Sequence, residues 1–110
     1  PVEQLAMLRS IPNFTVYRPS DYKELIGCWN EILTRAKPCA LILPRGHVNV
    51  QEFTNPAGIE YGGYIISEVE KSLDVILIAT GSEVGYACEL KEEYEPYKNL
   101  PLPGTFEMNF

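Results

Sequence analysis

Cys39-Ala40-Leu41-Ile42-Leu43 is an apolar run with no polar break. A strand with one wet face alternates apolar and polar residues, whereas an unbroken run fits a strand covered on both faces, as in a parallel α/β sheet. Upstream, Lys37-Pro38 ends a helical pattern that starts at Asp21. Asp21 with Glu24 three residues on resembles a capping box, and Leu25, Trp29, Ile32 and Leu33 follow at helical spacing. This predicts a helix to about Arg35 whose Leu25 and Trp29 stripe packs into a core. Phe14-Thr15-Val16-Tyr17 is β-branched and aromatic and reads as a strand. Before it, Val2 to Arg9 has helical spacing, stopped at Ile11-Pro12-Asn13 because proline disfavours helix in the residue before it.

Downstream of the run the chain turns polar from Gly46 to about Tyr61. Strands are then predicted at Tyr64-Ile65-Ile66 and at Asp74 to Ala79, and a helix from about Glu83 to Tyr94. Asn99-Leu100-Pro101-Leu102-Pro103 reads as the start of another strand, an edge or a poor one given its prolines. The predicted fold class is α/β, as parts of two parallel-sheet α/β domains joined by a linker. The divisions fall at residues 1–50, 51–61 and 62–110. Neither half has enough helices to cover a parallel sheet, so the isolated chain is expected to expose apolar strand edges and to be aggregation-prone or only partly ordered.

Net charge is −6 and the nine Lys and Arg are scattered, so the basic stripe of a general nucleic-acid binder is missing. Three cysteines without a C-x-x-C pair, and one histidine, offer few ligands for a metal centre and fit reduced thiols in a cytoplasmic protein. No apolar run approaches the ~20 residues of a membrane span. The chain opens on Pro1 rather than Met, which suggests a trimmed start or a fragment.

Arg45 is the leading functional candidate. It follows the 39–43 strand, and ligands of open α/β sheets bind beyond the C-terminal ends of the strands. A guanidinium matches a phosphate with two parallel donors; an ordinary surface ion pair is the competing role. His47 is close by, but no Asp, Cys or Ser lies near it in sequence to complete a catalytic pair. Thr80-Gly81-Ser82-Glu83 opens the last helix and reads either as an anion-holding loop or, preferably, as a capping box between Thr80 and Glu83. Glu89, Glu92, Glu93 and Glu95 form an acidic face expected to be solvated.

A resemblance carries the reading further. Pro1-Val2-Glu3-Gln4-Leu5-Ala6, Leu8-Arg9 and Ile11-Pro12-Asn13 are similar to a transketolase signature. Arg18-Pro19-Ser20-Asp21, Glu24 and Trp29 resemble that family's R-P-x-D-x-x-E…W pattern, and Gly62-Gly63-Tyr64 its corresponding triplet. Ile76 to Val84, I-L-I-A-T-G-S-E-V, resembles the opening of its C-terminal domain. The agreement is colinear over nearly the whole chain and weakens after Val84.

The resemblance implies that residues 1 to about 50 close a pyrimidine-binding domain and that the remainder begins the C-terminal domain. It implies a parent enzyme that uses thiamine diphosphate with Mg or Ca to pass two carbons from a ketose phosphate to an aldose phosphate, as a homodimer. Arg45 would grip the phosphate of the sugar substrate, with His47 an accessory contact. The segment lacks the family's G-D-G…N motif and would contribute no catalytic, cofactor-binding or metal-binding residue. It departs from the family at Leu43-Pro44-Arg45-Gly46-His47, where the family's Ser, Gln and Asn are absent. The Pro-Arg-Gly string is similar to 1-deoxyxylulose-5-phosphate synthases, and a truncated binding module is the non-enzymatic alternative.

Overall fold

The structure is a computed structural model that describes residues 2–68, 75–94 and 106–109. Helix α1 (Gln4–Arg9) leads into strand β1 (Thr15–Tyr17), helix α2 (Tyr22–Arg35) and strand β2 (Cys39–Leu41). A 3-10 helix, η1 (Pro56–Tyr61), precedes strands β3 (Ile65–Ser67) and β4 (Val75–Ile78), helix α3 (Glu83–Tyr94) and strand β5 (Phe106–Asn109). The strand predicted at 99–103 lies outside the described residues.

β1 and β2 pair in parallel, Thr15 opposite Cys39 and Tyr17 opposite Leu41, with α2 as the crossover. Asp21 caps α2 as its sequence suggests: its Oδ1 accepts from the Glu24 backbone N–H at 3.0 Å. The Glu24 carboxylate turns back to accept from the Ser20 N–H at 2.7 Å, one residue earlier than a standard capping box. At its other end α2 stops on Ala36, whose left-handed backbone accompanies the break before Lys37-Pro38.

The second sheet has the order β3-β5-β4, β5 lying parallel to β4 and antiparallel to β3. The class is α/β as expected, and within this sheet β3 is an antiparallel member beside the parallel pair β4 and β5. The physical reason is the short connection 68–74: a parallel crossover takes a dozen or more residues, so β3 and β4 run in opposite directions on either side of β5. Ile66, Ala79 and Val84 form the core beneath this sheet, with Tyr64, Leu77, Ala87 and Cys88 packed around it.

The face that α2 buries differs from the predicted one. Glu24, Gly27 and Cys28 are its buried residues, while Trp29 is 50% exposed and Ile26 and Leu33 are exposed beside it. The reason is η1, which lies across the Gly27 side of the helix rather than across the apolar stripe. Gly27 permits this approach: a Cβ there would sit 2.7 Å from Ile59 Cγ1 and closer still to the Pro56 carbonyl. The segment 51–61 is therefore packed against α2 along its helical part.

Candidate functional site

The C-terminal ends of β1 and β2 lie side by side because the two strands are parallel. The pairing continues one residue further, where Ile42 N–H donates to the Tyr17 carbonyl at 2.9 Å. Arg18 follows β1, and Arg45 stands in the exposed bend that follows β2. Among the described residues Arg45 makes no hydrogen bond or ion pair, whereas Arg18 is committed: its Nη2 reaches the Glu83 carboxylate at 3.2–3.3 Å.

This ion pair corrects the capping box expected at Thr80 and Glu83. Glu83 donates its backbone N–H to the Thr80 carbonyl at 3.3 Å, but its carboxylate goes across to Arg18. Gly81 makes the approach possible. It adopts φ +62°, donates its N–H to the Arg18 carbonyl at 3.0 Å, and has no Cβ where the Arg18 guanidinium lies 3.1–3.3 Å away. The R-P-S-D and A-T-G-S-E-V stretches, far apart in sequence, thus hold each other.

Behind the strand ends lies a polar network that sequence spacing left unread. Asp21 Oδ2 accepts from the Gln51 N–H at 3.1 Å and from the Thr54 hydroxyl at 2.5 Å. Lys23 Nζ donates to the Gln51 and Glu52 carbonyls at 2.6 and 3.2 Å. Glu24 Oε1 accepts from the Tyr64 hydroxyl at 2.6 Å, which in turn accepts from the Asn55 N–H at 3.0 Å. Asp21 and Glu24 are each 4% exposed. Burial, and then the bond to Glu24, push the Tyr64 phenol well above the ordinary tyrosine range. The only hints in sequence were the D-x-x-E spacing and the Gly62-Gly63-Tyr64 triplet.

His47 is exposed and borders a cavity of about 180 Å³ with Ser20, Asn49, Gln51, Ser82 and Glu89. A second cavity, of about 220 Å³, lies between Arg9, Arg18, Tyr64 and Thr80. The second is also lined by Cys28 and Glu24, and the Glu24 carboxylate there is engaged by the Tyr64 hydroxyl. Glu89, Glu92 and Glu93 are exposed, as expected of a solvated acidic face; Glu95 lies outside the described residues.

Cys28, 1% exposed, is poorly suited to chemistry: burial, then the nearby Glu24 charge, push its thiol up to about 12. A raised folded-state value means that the neutral thiol stabilises the fold fully below the ordinary thiol range. That contribution is lost as pH climbs from about 9 toward 12. Alkylation of Cys28 at pH 8, followed by peptide mass, should therefore be at least about 100-fold slower than in denaturant; comparable rates would contradict this environment.

No helix among the described residues is long and apolar enough to cross a membrane. Among the same residues, no three His, Cys, Asp or Glu side chains converge as a bound metal requires. Each oxygen of the two buried carboxylates, Asp21 and Glu24, already accepts from a protein donor. The described residues do not by themselves fit a thiamine diphosphate or its metal.

Residues 1–51 match the family described as transketolase, pyrimidine binding domain. The chain is 39% identical over 110 residues to a probable transketolase of Streptococcus pneumoniae, covering 96% of this chain and 17% of that protein. It is 48% identical over 94 residues to the transketolase of Mycobacterium leprae, covering 79% of this chain and 13% of the relative. Among solved structures, transketolase from Leishmania mexicana superposes with a TM-score of 0.87 at 30% identity, over 99% of this chain and 15% of that one. A Pichia stipitis transketolase mutant in complex with fructose 6-phosphate gives the same TM-score at 28% identity, with the same coverage. The chain thus spans between about one eighth and one sixth of the length of these relatives.

Proposed function

Because this chain belongs to the transketolase family, we propose that it forms the passage from the pyrimidine-binding domain to the C-terminal domain of such an enzyme, and that Arg45 binds the phosphate of its sugar substrate. Residues 1–50 complete the first domain, 51–61 connect, and 62–110 open the second. The enzyme is a thiamine-diphosphate-dependent transferase that moves a two-carbon ketol unit between sugar phosphates. Thiamine diphosphate supplies the carbon–carbon bond chemistry when bound; this segment supplies substrate positioning and takes no part in that step. A Mg or Ca ion, assembly as a homodimer and a cytoplasmic location complete the proposal.

One observation carries the role of Arg45. It is an exposed guanidinium with no partner among the described residues, standing past the C-terminal end of a parallel strand. That end is where open α/β sheets bind ligands, and a planar donor pair suits a phosphate dianion. His47, exposed in the same segment, serves as an accessory contact.

The test uses the full-length transketolase that carries this segment, assayed with fructose 6-phosphate and with fructose. Arg45→Ala removes a charge-assisted contact worth about 2–3 kcal/mol. The ratio of kcat/KM for the phosphorylated over the unphosphorylated sugar should fall about 30- to 160-fold. Equal losses on both sugars would take Arg45 out of the phosphate site.

A further inference from the structure

We propose that Asp21 and Lys23, at the start of α2, are positioning residues that latch the Arg45 loop. This rests on the reading of Arg45 given above and deepens it. Beyond Ile42, residues 43–50 make no backbone–backbone hydrogen bond among the described residues. A loop without such bonds depends on its ends and on side-chain contacts, and its near end is the Ile42 to Tyr17 bond.

The far end is Gln51, and both of its backbone polar groups are taken by the start of α2. Its N–H goes to Asp21 Oδ2 at 3.1 Å and its carbonyl accepts from Lys23 Nζ at 2.6 Å. The Thr54 hydroxyl bridges the two, 2.5 Å from Asp21 Oδ2 and 3.0 Å from the Gln51 carbonyl. Asp21 divides its work between its oxygens, Oδ1 capping the helix and Oδ2 holding the loop. At 4% exposure it is shielded from water that would compete for these bonds. Lys23 adds a second bond to the Glu52 carbonyl, and Gln51 Nε2 braces the loop from inside by donating to the Asn49 carbonyl.

A phosphate grip needs its guanidinium in one place, since displacement of about 1 Å at a binding contact costs on the order of 100-fold in rate. The latch provides that place because the crossover helix that joins β1 to β2 also grips the loop leaving β2.

Helix capping and loop holding separate by substitution. Asp21→Ser keeps a good N-cap with one short oxygen and gives up the bonds of Oδ2. Lys23→Met keeps the stem and gives up the ammonium. In the full-length enzyme each should lower the kcat/KM ratio of fructose 6-phosphate to fructose about tenfold and speed amide exchange in 43–51. In an Arg45→Ala background neither should lower the ratio further. If Arg45→Ala is phosphate-selective while Asp21→Ser leaves the ratio unchanged, the latch is overturned and the Arg45 reading stands. If Arg45→Ala is not selective, that reading fails, and the positioning role with it. A lowered ratio without faster exchange in 43–51 would also overturn the latch.

Discussion

Gly27→Ala should strip η1 from α2, raising amide exchange at Gly58 and Gly62 by about 30- to 160-fold in the full-length protein. On helix propensity alone the substitution is favourable by nearly 1 kcal/mol, because glycine is a poor residue for a helix interior. Packing decides otherwise. The new Cβ would lie 2.7 Å from Ile59 Cγ1 and against the Pro56 carbonyl. Of these the carbonyl is backbone and has no rotamer to escape into.

Overpacking of this kind costs typically 1–3 kcal/mol and sometimes more, and the Pro56 contact puts this site at the upper end. η1 would shift as a unit, taking with it the Asn55 cap, whose Oδ1 accepts from the Ala57 N–H at 3.0 Å. Gly58 and Gly62 report the change because their N–H groups are bonded within this turn, to the Asn55 and Ile59 carbonyls. Local exchange is the suitable readout, since a multidomain protein has no single unfolding free energy. Unchanged exchange, or a more stable protein, would show that the two elements are not in contact.

What sequence made legible here is what neighbours along the chain decide. Asp21 begins α2 and Lys37-Pro38 follows its end, and α3 runs over the predicted Glu83–Tyr94, because capping, proline geometry and helical spacing are local. The parallel pairing of β1 and β2 was legible because an unbroken apolar run with a crossover helix leaves few alternatives. Contacts between distant residues were not. Glu83 looked like half of a capping box, since nothing local announces Arg18 as its partner. Trp29 looked like core because its spacing is helical, but spacing identifies a stripe and not what covers it. At the site, the place of Arg45 after a strand was readable, while the bonds that hold its loop depend on Gln51 and Thr54, where no periodicity points to Asp21.

Glu24→Ala should be the most damaging single change in the segment, at about 3–5 kcal/mol. The carboxylate is 4% exposed and ties three places together: the Ser20 backbone before α2, the Tyr64 hydroxyl before β3 and, through that hydroxyl, the Asn55 backbone at the start of η1. Its place in the first turn of α2, facing the positive end of the helix dipole, helps a buried charge to persist. Truncation removes the acceptor of the buried Ser20 N–H and of the half-buried Tyr64 hydroxyl, a buried donor without a partner costing about 1–3 kcal/mol, and it also empties the volume the side chain filled. Glu24→Gln keeps an acceptor oxygen but brings an amide that must donate where only donors point, so it should recover less than half of the loss. Tyr64→Phe removes the middle link and leaves the buried Glu24 Oε1 without its donor, about 2 kcal/mol, while the exposed Asn55 N–H turns to water. The two sites share one hydrogen bond, so a double-mutant cycle read by amide exchange over 55–62 should give a coupling of about 1.5–3 kcal/mol, the range of bonds to charged groups. Additive effects would mean that Glu24 and Tyr64 stabilise the fold independently, and that the junction between α2, η1 and β3 is held by packing alone.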